Sequence, residues 1–117
     1  MTDVSLYHDE GLVKPEMLSK IAFQINKDFG SFGQIVYEEN SLFSSVDDLI
    51  GPLFQAVSTL LRQDKRKMMQ IIYRVDINEN QLGTALAEAK GDAAAEVLTE
   101  LIIAREFTKI QIRDRSH

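Results

Sequence analysis

Apolar residues that recur every three or four positions commit most of this chain to helices. Leu18, Ile21, Ile25 and Phe29 keep that spacing, with Met17 and Ala22 beside them. A period near 3.6 places them on one side of an α-helix. Pro15 supplies a start, because its fixed φ suits the first helical position and its missing N–H has no partner there anyway. Gly30 is the expected stop, in the left-handed conformation that glycine adopts without steric cost. A second stripe runs through Leu53, Phe54, Val57, Leu60 and Leu61 and continues in Met68, Met69, Ile72 and Val75. Residues 52–75 form one helix of about 36 Å at 1.5 Å per residue, or two that break in the all-polar run 63–67. Pro52 either kinks this segment or sits in its first turn. Just before it, Ser44 and Ser45 each precede an aspartate by three residues, an acidic relative of the capping box.

Ile77-Asn78-Glu79-Asn80-Gln81-Leu82 is the sharpest boundary in the chain. With Asn78 as N-cap, Gln81 occupies N3 and completes a capping box, while Ile77 and Leu82 take the two positions of a hydrophobic staple. Leu82, Ala85, Leu86 and Ala89 then face inward, and Lys90-Gly91-Asp92 closes this helix and opens the next. Val97, Leu98, Leu101, Ile102 and Arg105 form the stripe of a final helix, extended by Phe107, Ile110 and Ile112 on a shifted face. These last two helices make an αα-hairpin. Alanines at 85, 87, 89 and 93–95 permit close approach of their backbones.

The predicted fold is all-α, a small bundle of four to five helices with a C-terminal αα-hairpin. The alternative is α+β, with short strands near 34–38, 70–77 and 108–113, where apolar and polar residues alternate. For 70–77 the helix is preferred, because its stripe runs in register from Leu61. Residues 1–13 lack periodicity and read as a flexible arm, leaving 14–117 as a single helical domain. A chain of 117 residues hides roughly two thirds of its unfolded surface in one core.

Several kinds of chemistry are excluded. Without cysteine there is no disulfide framework, zinc–thiolate site or thiol nucleophile. No stretch approaches the ~20 apolar residues that span a bilayer, and the first residues lack the pattern of a signal peptide, so a cytoplasmic, non-membrane protein is expected. The net charge of −5 is unevenly spread. Residues 62–75 hold five bases against one acid, whereas 1–60 and 76–100 are acidic. Such a chain lacks the dominant basic face of a nucleic-acid binder but suits charge-complementary contacts between segments or copies.

Few residues suggest a site. His8 and His117 are the two histidines, and no Gly-x-Ser-x-Gly elbow accompanies them, so nucleophilic catalysis has no constellation to work with. No Glu-x-x-His pair suggests a helical di-metal centre. His8-Asp9-Glu10, Glu38-Glu39 and Asp47-Asp48 read as solvated or capping groups, and no metal or cofactor is expected. Gly30-Ser31-Phe32-Gly33 lacks the lysine of a phosphate cradle. The basic run Arg62-Gln63-Asp64-Lys65-Arg66-Lys67 has no interleaved aromatic for base stacking and reads as a solvated helix face or polar turn. Tyr73, Arg74 and Asp76 are the binding candidates: a phenol, a guanidinium and a carboxylate that could converge on an anion or a proton. Their structural alternative places Tyr73 in the core, pairs Arg74 with an acid such as Glu79, and gives Asp76 to the helix cap.

The expected function is a small helical interaction or regulatory domain, self-associating as a homodimer or docking a protein partner, with no catalytic residues. Apolar faces beyond the need of a monomeric core nominate Met68, Met69, Ile72, Ile103 and Phe107 as interface. The alternative is a small ligand-binding protein or enzyme using Tyr73, Arg74 and Asp76. A third reading is a nucleic-acid-associated regulator acting through residues 62–67.

Overall fold

The computed structural model describes residues 14–88 and 92–115. They form α1 (Pro15–Gly30), α2 (Asp47–Gln63), α3 (Lys65–Val75), α4 (Glu79–Glu88) and α5 (Asp92–Arg115). The fold is all-α, and the described residues contain no strand. The expected arm at 1–13 and the turn at Lys90-Gly91 lie outside the described residues.

The alternating segments reflect burial rather than pairing. In 34–38, Ile35 is exposed while Tyr37 is buried, so the two do not share a strand face. In 108–113, Ile110 is buried and Ile112 exposed. Residues two apart on a helix point about 200° apart, and this stretch lies within α5.

α5 is the axis of the bundle and packs against each of the other four helices. Its buried positions are Ala95, Leu98, Thr99, Ile102, Ile103, Glu106, Phe107 and Ile110, two adjacent rows that need partners on both sides. The sequence pattern had put Val97, Leu101 and Arg105 on the stripe. These are half-buried, and the face is rotated toward Thr99, Ile103 and Glu106. α1 runs antiparallel to α5: Lys20 meets Asp114 at 3.0 Å near one end, and Asp28 meets Lys109 at 3.7 Å near the other. All five helices contribute to one apolar cluster. Met68, Ile72, Ile103 and Phe107, nominated from sequence as interface, belong to this cluster, each at most 4% exposed. Because α5 is surrounded, the apparent surplus of apolar faces is core; of the five nominated residues Met69 alone reaches the surface, at 43%.

Helix ends follow local chemistry. Lys14 precedes Pro15 at the α1 start as expected. The left-handed stop comes three residues after Gly30. Ser31 remains right-handed, and Gly33 turns with φ 78°. Gln34 N–H bonds Phe29 O at 3.1 Å and Gly33 N–H bonds Gly30 O at 3.0 Å, the paired bonds of a Schellman motif with Gly33 at C′. The connection 31–46 is tied down by Asn26. Its Oδ1 accepts from the N–H groups of Val36 and Tyr37, and its Nδ2 donates to Tyr37 O. Tyr37 then donates its hydroxyl to Leu49 O at 2.8 Å. Burial pushes the pKa of that hydroxyl up, so it remains a donor.

Pro52 lies inside α2. The start of that helix is held by Asp48, whose Oδ2 accepts from Ser44 and Ser45 N–H groups and whose pKa is lowered by those bonds. The stretch 52–75 is two helices. Asp64 breaks it with an extended φ of −155° and caps α3 by accepting from Lys67 N–H at 3.1 Å. At the next corner Asp76 is left-handed, φ 68°, and its N–H bonds Ile72 O. Asn78 Oδ1 accepts from Asn80 and Gln81 N–H groups, with Ile77 and Leu82 buried at the staple positions. No helix of the described residues is long and apolar enough to cross a membrane.

Candidate functional site

α1, α3 and α5 meet at a polar junction inside the otherwise apolar core. Asp28 continues the α1 stripe three residues after Ile25 and is 3% exposed, and Glu106 stands four residues after Ile102 on α5 and is 0% exposed. Burying an ionised carboxyl costs several kcal/mol unless charge and hydrogen bonds offset it. Two cations supply part of that. Lys109 Nζ lies 2.6 Å from Glu106 Oε1 and 3.7 Å from Asp28 Oδ2, and donates to Val75 O at 3.1 Å. Arg74 Nε approaches Asp28 Oδ1 at 3.5 Å, and Gln24 Nε2 donates to the same oxygen at 3.2 Å.

The junction is nevertheless short of donors. Asp28 Oδ2 and both oxygens of Glu106 make no hydrogen bond; Lys109 reaches Glu106 as a close ion pair. Burial pushes the Glu106 carboxyl up to about 8, the neighbouring Asp28 carboxyl adds to this, and Lys109 opposes it. A carboxyl raised into this range can hold or release a proton near neutral pH.

A second region lies at the α3–α4 corner, where two grooves flank Asp76, Ile77 and Asn78. One, of about 480 Å³, opens between α4 and α5 beside Gln81, Leu101, Arg105 and Thr108. The other, of about 510 Å³, is lined by Met69, Ile72, Tyr73, Glu79 and Leu82. The left-handed turn at Asp76 is clamped from α5: Arg105 Nε donates to Asp76 O and Arg105 Nη2 to its Oδ2, both at 2.9 Å.

The three binding candidates from the sequence divide between these regions. Tyr73 is 77% exposed rather than core, and its hydroxyl makes a long contact with Glu79 Oε1 at 3.5 Å. Asp76 lines the same groove as Tyr73. Arg74 is directed to Asp28 in the junction instead, so Glu79 is not its partner. Residues 62–67 form the exposed α2–α3 corner, with Lys67 partly covered. Asp28, Glu106 and Lys109 were missed. The signal was present, since both acids interrupt apolar stripes at positions where the stripe should continue. Among the described residues, no group of three or more histidine, aspartate or glutamate side chains is arranged to hold a metal ion.

Compared with protein-family models, curated proteins and solved structures, the chain matches none.

Proposed function

We propose that this chain is a helical interaction domain that pairs with a second copy of itself along the outer face of α3 and the start of α4. The order of side chains on that face carries the reading. Arg66, Met69 and Tyr73 are exposed at i, i+3 and i+7, which puts them on one side of the helix. Glu79 stands beyond them, in contact with the Tyr73 hydroxyl. Basic, apolar, aromatic and acidic therefore follow one another along the axis. Two copies laid antiparallel bring Arg66 of each toward Glu79 of the other and stack Met69 and Tyr73 at the centre. This is the self-complementarity that a two-fold interface requires, with the residue types that favour interface cores.

Sedimentation velocity across a micromolar concentration series tests it. A dimer is expected, weakened by added salt and by Tyr73→Ala, with a Kd at least about tenfold higher for an anchor of this kind. Arg66→Glu and Glu79→Arg each weaken pairing, and the double exchange restores it. A monomer at every concentration and salt sinks the reading.

The 510 Å³ groove beside Tyr73 and Asp76 favours a second reading, a small-ligand site, since its size falls within the range of such pockets. Ligand-induced protection of Tyr73 in a monomeric chain would select it over pairing.

A further inference from the structure

We infer that Asp28 and Glu106 hold one proton between them in the folded chain, an internal proton-binding site that couples the α1–α3–α5 junction to pH. The argument begins with donors. An ionised carboxylate only accepts hydrogen bonds, and here two such groups flank one lysine inside the core. Gln24 and Arg74 serve Asp28 Oδ1, which leaves Asp28 Oδ2 and both Glu106 oxygens without a hydrogen bond, Lys109 meeting Asp28 Oδ2 and Glu106 Oε1 as an ion pair. One proton changes this count. Glu106 then donates an O–H to Asp28, an acceptor–acceptor repulsion becomes a charge-assisted hydrogen bond, and one buried negative charge disappears.

The surrounding charges agree with a single proton. Asp28 faces Glu106 from α1, Lys109 comes from α5 itself, and Arg74 reaches Asp28 from α3. Among the described residues, α2 and α4 bring no ion pair to Glu106. Lys109 is the cation at ion-pair distance from both acids, and Arg74 is 46% exposed at its side chain. Two fully ionised carboxylates would thus share essentially one half-buried lysine. The junction also sets the end of α3, because Lys109 donates to Val75 O.

The sign of the pH dependence follows. Glu106 binds its proton more tightly folded, at about 8, than at its ordinary value of 4.5. Its protonation therefore stabilises the fold below pH 4.5, and that contribution is progressively lost as pH rises through about 8.

Side-chain carboxyl carbon NMR on the intact chain, titrated from pH 4 to 9, tests the site directly. One glutamate resonance is expected to titrate well above the others and to vanish in Glu106→Gln. In parallel, urea unfolding is measured at several pH values. The wild-type folding constant should fall by at least roughly tenfold between pH 5 and 8.5, one unit of raised pKa being worth a factor of ten. Glu106→Gln, which keeps a neutral donor there at every pH, should lose that dependence. Wild-type unfolding between pH 7 and 9 that Glu106→Gln resists would support the same conclusion. If every glutamate titrates below pH 6, the inference is overturned, whether or not the variant folds.

Discussion

α1 and α4 both lie against α5, yet they are held there by opposite means. α1 buries Leu18, Ile21, Ala22, Ile25, Asp28 and Phe29, a continuous face that ends in the carboxyl junction. α4 buries Leu82, with Leu86 and Ala85 half-covered and Gln81, Gly83, Thr84 and Ala87 exposed. Packing fixes α1, whereas the signals at its start do most to fix α4: a side-chain cap, a staple and the Arg105 clamp on Asp76. A helix this short is marginal by itself, so loss of a cap is felt more in α4 than in α1, whose N-cap Lys14 makes no side-chain capping bond.

Three substitutions probe the contrast, in falling order of effect. Phe29→Ala empties a fully buried site and should cost about 3–5 kcal/mol in chemical denaturation; a loss under about 1 kcal/mol would mean α1 is not packing-held. Asn78→Ala removes the acceptor for Asn80 and Gln81 N–H groups and should cost about 1 kcal/mol. Amide exchange should speed up in α4 while α1 stays protected, and equal acceleration in both would erase the distinction. Gly83→Ala adds a methyl group where nothing lies within 4 Å. It should stabilise the chain by about 0.5–1 kcal/mol through helix propensity alone, read as a raised denaturation midpoint.

Much of this architecture was legible in the residues. Pro15 and the Asn78 cap marked two helix starts because capping is a local property, decided within four residues, although Gln81 makes no return bond to the Asn78 N–H. The break near 63–67 was also legible, since five polar residues in a row cannot continue a buried stripe. Non-local features were not. Gly33 rather than Gly30 carries the left-handed turn because Phe29 and Phe32 both pack inward and carry the helical path onward. The buried acids were hidden by an assumption that charge marks the outside. On α5 the stripe was read through Arg105, one position away from Glu106, because two covered rows blur the 3.6-residue signal that one covered row would show. Tyr73 and Arg74 are neighbours in sequence but sit about 100° apart on α3, so one joins the surface groove and the other the junction.

The Asn26 amide has a consequence for how this chain would be cut. By bonding both Val36 and Tyr37, it does for the connection what a neighbouring strand would do, and the Tyr37 hydroxyl anchors the same point to α2. A protease needs several residues of backbone in extended form, so 36–37 is shielded by those bonds. The stretch beyond is different: Asn40, Ser41 and Leu42 are exposed, Leu42 at 91%. Scission there would leave α1 with its Asn26–Tyr37 latch on one fragment and α2 to α5 on the other. The two pieces would remain associated through the core, a nicked protein that separates on a denaturing gel and not on a sizing column.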